Sequence, residues 1–289
     1  MRKVLVGLCV AALALLAACS RNRTPNSLID AAGYHVTDDT VYYLKAFPGK
    51  VFEISGADVA SFQVFDQTYA RDESNVYLDG AVLSGADAVT FQPLDRPGLA
   101  KDAHHVYLRD VPISADPAHF ELLDGELGRD GAAVYWSDGS VLSDDPRHFA
   151  IISNVDHYLF TKDAETVHVN GNPIGDADPA SFRVLGGAYA TDGQRVFYFA
   201  DRIPDARLAS FRPLEGPYAG DAERVYWMGK AIEGADPATY RVLNADFECS
   251  ADAEHAYYRQ TVIAGAEPST FPPGRAVTGC AETSITFAG

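Results

Sequence analysis

The side chains of this 289-residue chain best suited to chemistry are carboxylates, histidines and cysteines, and most of them recur at fixed spacing. Asp72, Asp102, Asp130, Asp163, Asp192, Asp221 and Asp252 each open a short polar stretch that runs into an apolar pair such as Val76-Tyr77. An aspartate in that place has two uses. Its side chain can accept from backbone N–H groups just downstream and close an Asx turn, or it can join turn carbonyls as a calcium ligand. The Asp-x-Asp-x-Asp-Gly loop of a dedicated calcium site does not occur, so the turn is the expected role. His119 and His148 occupy one slot in adjacent repeats, and with His104 and His105 they make a conceivable transition-metal cluster. The alternative is a set of polar residues on an exposed face. Trp136 and Trp227 also share a slot, where each serves as a core anchor or as part of a stacking platform for a ligand. Gly-x-Ser-x-Gly, His-Glu-x-x-His, a phosphate loop and Gly-x-Gly-x-x-Gly are all missing. The acidic residues lie at equivalent positions in successive repeats, whereas an active site draws different residue types to one place. Neither a catalytic residue nor a cofactor is therefore expected.

The frame that positions these residues is a repeat. A tract like Gly234-Ala-Asp-Pro-Ala-Thr-Tyr240 returns eight times, with its leading residue and aromatic at Asp58 and Phe62, Asp87 and Phe91, Asp116 and Phe120, Asp145 and Phe149, Asp178 and Phe182, Arg207 and Phe211, Asp236 and Tyr240, and Glu267 and Phe271. Asp followed by Pro reads as a cap and first position of a helical turn, with the aromatic in a staple to the preceding alanine. Upstream, apolar and polar residues alternate around the Asp-led turn, and Asp79-Gly80, Asp138-Gly139 and Asn170-Gly171 mark a second hairpin. One unit of roughly 28 to 33 residues thus offers three or four short strands and a helical turn, too little to bury its own apolar face. Neighbours must supply the rest. With 15 Tyr and 15 Phe in a composition 47% hydrophobic, the chain has the apolar area for that. The expected fold is mainly β, an array of about eight hairpin or meander repeats over 34–274. An open array is preferred to a closed propeller-like toroid, because known blades are longer.

Asp72…Val76-Tyr77, Asp102…Val106-Tyr107, Asp130…Val134-Tyr135-Trp136, Asp221…Val225-Tyr226-Trp227 and Asp252…Ala256-Tyr257-Tyr258, each followed by the Gly-Ala-Asp-Pro-like tract, resemble the repeats of the bacterial DKNYY family. The literal five-letter tract is replaced by variants such as Asp-Ala-His, so the resemblance is one of repeat layout. It brings no activity with it.

At the N-terminus, Met1-Arg-Lys and the apolar run Val4 to Leu16 read as an export signal rather than a membrane span. Leu16-Ala17-Ala18-Cys19 resembles the lipobox of bacterial lipoproteins, which implies cleavage after residue 18 and lipid on Cys19; ordinary secretion after an Ala-x-Ala-like site is the alternative. By the same resemblance, Ser20 instead of Asp favours the outer membrane of a Gram-negative envelope. Residues 19–33 then form a tether and 275–289 a tail. Losing Arg2 and Lys3 takes the net charge from −17 to about −19. An acidic surface of that size argues against nucleic acid and repels anionic headgroups, so the hold on the membrane falls to acyl chains. Cys249 and Cys280 remain, and in an oxidising compartment they would pair with each other. Metal ligation is the competing use, but neither has a second Cys or His two to four residues away. The expected function is a non-enzymatic, lipid-anchored envelope module that binds a protein or glycan; the other reading is a metal- or carbohydrate-binding or active protein with a site on one face.

Overall fold

The structure, a computed structural model, describes residues 23–289. Cys19 and the leader before it lie outside the described residues. Among the described residues there is no α-helix; short antiparallel strands make up eight successive sheets and a C-terminal hairpin. The first sheet has three strands, Gly33–Val36, Val41–Leu44 and Val51–Glu53, and each of the next seven has four, lying in sequence order as a meander. The chain divides into two compact units, one of residues 23–121 with Gly128–Gly131 and Ser137–Ser140, the other of Leu122–Leu127, Ala132–Trp136 and Val141–Gly289.

The second repeat shows why such small sheets are stable. Its strands are Gln63–Val64, Tyr69–Arg71, Val76–Leu78 and Ala81–Val82, with Tyr69 opposite Leu78 and Ala70 opposite Tyr77. Successive side chains on a strand point to opposite faces, and here both faces are covered. Ala70 and Tyr77 pack with Val41, Tyr43 and Ile54 of the first repeat, whereas Tyr69 and Val76 pack with Ala100 and Tyr107 of the third. All four are essentially inaccessible to water. The pattern recurs in the second unit, where Tyr189 and Val196 meet Ala219 and Tyr226. A single repeat therefore has no core of its own; each core lies between two repeats.

The closing aromatic is the wedge of each such core. The Phe62 ring lies 5.8 Å from Tyr34 of its own repeat and 5.3 Å from Tyr77 of the next. Phe91 sits likewise between Tyr69 and Tyr107 at 5.2 and 6.2 Å, and Phe211 between Tyr189 and Tyr226 at 5.6 and 5.7 Å. Tilted and edge-on ring pairs of this kind add about 0.5–1.5 kcal/mol each beyond the area they bury. The helical turn that precedes the wedge is a single hydrogen-bonded turn, with 3-10 geometry at Leu208–Ser210 and Pro268–Thr270. It is short because the chain must reverse into the next strand straight after the aromatic.

Candidate functional site

The turn aspartates do what an Asx turn requires, and more. Oδ1 of Asp72 accepts the backbone N–H groups of Ser74 and Asn75 at 2.8 and 2.7 Å, which closes the turn between the second and third strands. Oδ2 accepts the Tyr77 hydroxyl at 2.5 Å and the backbone N–H of Asp58 at 3.1 Å. Asp58 belongs to the closing turn of the preceding repeat, so one buried carboxylate joins a hairpin, a core tyrosine and the neighbouring unit. The same set recurs at Asp102 with Tyr107 and Asp87, at Asp221 with Tyr226 and Arg207, and at Asp252 with Tyr257 and Asp236. A second link runs beside it: the hydroxyl of Ser61 accepts the N–H of Glu73 at 3.0 Å, as Thr90, Ser210 and Thr239 do for Ala103, Ala222 and Ala253.

These bonds set the electrostatics. Burial pushes the Asp72 carboxyl up, but the Tyr77 hydroxyl and the N–H groups of Asp58, Ser74 and Asn75 together outweigh it and hold the carboxyl below its ordinary value. Asp102, Asp163, Asp221 and Asp252 are lowered by the same balance of burial against hydrogen bonds. The partner tyrosines move the other way. Burial first, and then the hydrogen bond to a charged carboxylate, raise Tyr77, Tyr107, Tyr226 and Tyr257.

The family model for DKNYY matches residues 34–198 and 203–261, which covers the repeats just described. The chain belongs to the DKNYY family. No curated protein and no solved structure matches it. In this DKNYY protein the recurring Asp and Tyr are the two ends of the buried carboxylate–hydroxyl pair, so the motif marks a structural joint between repeats.

The histidines singled out above fall into this scheme. His119 and His148 replace the Ser or Thr of the closing turn, and their Nδ1 atoms bond the Asp116 and Asp145 carboxylates at 2.8 and 2.7 Å. In those two repeats a serine stands where the others have Gly or Asp, two residues before the closing-turn aspartate. Ser114 takes the N–H of Asp116 at 3.0 Å and donates to Oδ2 of Asp130 at 2.5 Å; Ser143 relays Asp145 to Asp163 in the same way. Elsewhere that position needs a left-handed backbone, as at Gly56 with φ of 84°. The serine was not foreseen, although its exchange in step with the histidine is visible in the two tracts Ser114-Ala-Asp-Pro-Ala-His119 and Ser143-Asp-Asp-Pro-Arg-His148. His104 and His105 supply backbone N–H groups to Asp102. Among the described residues, no group of three or more His, Cys, Asp or Glu is arranged to hold a metal ion.

Cys249 and Cys280 are joined as a disulfide with their Cα atoms 5.8 Å apart. It fastens the C-terminal hairpin, Val277–Ala281 with Ser284–Phe287, to the last four-stranded sheet. Trp136 packs with Leu127, Val134 and Phe149, and Trp227 with Tyr218 and Tyr257, so both act as core anchors; the Arg259 guanidinium lies 5.5 Å over the Trp227 ring.

One cleft of the second unit is suited to a ligand. It has a volume of about 390 Å³ and crosses three consecutive repeats, with Asp156 and Tyr158 from one, Gly187 and Tyr198 from the next, and Pro213 and Met228 from the third. Gly187 faces open space in it: a Cβ there would meet no atom within 4 Å, and the φ of 51° favours glycine. The lining offers tyrosine rings, a thioether and a carboxylate, and includes no Lys or Arg.

Proposed function

We propose that this chain is a lipid-anchored protein of the cell envelope that binds a partner and performs no chemical step on it. The observation that supports the reading is the use to which its repeated carboxylates and tyrosines are put. At Asp72, Asp102, Asp221 and Asp252 the carboxylate is engaged by a tyrosine and by the neighbouring repeat, and a solvent-facing cleft of the second unit has the aromatic lining of a recognition site. Leu16-Ala17-Ala18-Cys19 agrees with anchoring through Cys19, the paired Cys249 and Cys280 with export to an oxidising compartment, and Ser20 with retention at an outer membrane. The partner is an envelope protein or a glycan. Photo-crosslinking in intact cells from an unnatural residue at Met228, with Val82 as a remote control, tests this. A specific adduct at 228 and none at 82 is the expected result; equal, diffuse labelling at both sites would overturn it. Intact-mass measurement of the protein extracted from membranes reads the lipid on Cys19 directly.

A further inference from the structure

The loop between the second and third strands of the first repeat is unlike the rest of this acidic molecule. Lys45-Ala-Phe-Pro-Gly-Lys50 is closed by Lys45 N–H to Lys50 O at 3.2 Å and Gly49 N–H to Ala46 O at 2.7 Å. At its tip Phe47 is 71% exposed, among the most exposed large apolar side chains described. Lys45 and Lys50 flank it, both exposed, and no Asp or Glu occurs from residue 40 to residue 52. The register then decides which way this tip faces. Gly33 pairs with Leu44, so the chain enters the first strand at the same end of the sheet as the 45–50 loop. Just before that entry stand Leu28 and Ile29, 76% and 71% exposed.

We infer that the Lys45–Lys50 loop, with Leu28 and Ile29, is a membrane-contacting finger that seats the first repeat on a phospholipid surface bearing anionic headgroups. The inference rests on the reading of Cys19 as the lipid anchor, since an anchor four residues before Arg23 delivers the chain to this end of the sheet. An exposed aromatic inserts into the headgroup boundary while flanking lysines meet phosphates. The chain's net charge is negative, so the contact is confined to this end of the first sheet.

The test uses the chain purified from membranes with its own N-terminus, reconstituted on phosphatidylcholine vesicles with or without phosphatidylglycerol. An environment-sensitive fluorophore is attached at Phe47→Cys, and in a second protein at Val155→Cys, an exposed site in the fifth repeat. The expected result is blue-shifted emission at 47 that strengthens with phosphatidylglycerol and is lost in Lys45→Glu/Lys50→Glu, with emission at 155 aqueous throughout. Aqueous emission at 47, equal shifts at 47 and 155, or no effect of the charge reversal would each overturn the finger. Intact mass of the same preparation reports the lipid on Cys19 separately, so failure of the anchor and failure of the finger are told apart.

Discussion

Asp192 lies five residues before Phe197, and its Oδ2 lacks the tyrosyl donor that Asp72 receives from Tyr77 at 2.5 Å. Oδ1 keeps its turn, accepting from Gln194 and Arg195, but Oδ2 is buried and accepts no hydrogen bond from the described residues; the Arg195 guanidinium stands 3.5 Å away. Five sister repeats hold a tyrosine at this place, and the hydroxyls of Tyr77, Tyr107, Tyr226 and Tyr257 donate to the turn carboxylate. Phe197→Tyr should therefore raise stability by about 1 kcal/mol, and Tyr77→Phe should lower it by about 1–3 kcal/mol through the carboxylate it strands. Urea denaturation of the two variants checks both signs.

The carboxylates also set the response to acid. Asp72, Asp102, Asp163, Asp221 and Asp252 all have folded pKa values below the ordinary 3.8. A lowered carboxyl stabilises the fold above its unfolded pKa, and that contribution is lost as pH falls through the folded value. Stability should then be flat from neutral pH down to about 4 and fall below it, as these carboxyls take up protons. In alkali the sign reverses: the raised tyrosines stabilise fully below pH about 10 and lose that contribution as the pH rises further. Circular dichroism against pH, with tyrosinate absorbance on the alkaline side, should show ionisation and unfolding together.

Much of this architecture is legible in the chain because it is written several times over. The period, the closing aromatics and the Asx role of Asp72 and its sisters each depend on residues within a few positions of one another, and repetition removes accidental matches. What escaped is what depends on stacking. That Oδ2 of Asp72 would meet both Tyr77 and the N–H of Asp58 follows from strand register and from the packing of one repeat on the next, neither of which a linear pattern states. The shared slot of His119 and His148 is visible, and both rings lie exposed as that slot suggests; what a linear pattern does not state is that each bonds the aspartate three residues earlier. The cleft at Gly187 is lined by residues from three separate repeats, which no linear pattern brings together.

The serine-and-histidine repeats make a third expectation. Ser114→Ala removes the acceptor of the Asp116 N–H and the donor to Asp130 at one stroke, and should cost about 1–3 kcal/mol. His119→Ser alone should be milder, since a serine hydroxyl meets the same aspartate elsewhere, as Ser61 meets Asp58 at 2.5 Å. Equal losses in the two variants, measured by denaturant titration, would show that the serine relay carries no special weight.

Reduction should act locally. The Cys249–Cys280 bridge closes a separation of 31 residues, for which chain entropy gives a stabilisation of roughly 3–4 kcal/mol. The hairpin it fastens also packs on the last repeat, where Phe287 lies 5.0 Å from the closing ring of Phe271 and the Asn244 amide bonds the Val277 carbonyl at 3.0 Å. Those contacts are few, whereas the earlier cores lie between full sheets. Cys249→Ser/Cys280→Ser should therefore release residues 277–287 first, with fast amide exchange confined to the hairpin and the last sheet. Because each repeat contacts only its neighbours, protection from the first repeat to the sixth should be unchanged. A uniform loss of protection along the whole chain would mean instead that the repeats unfold as one block.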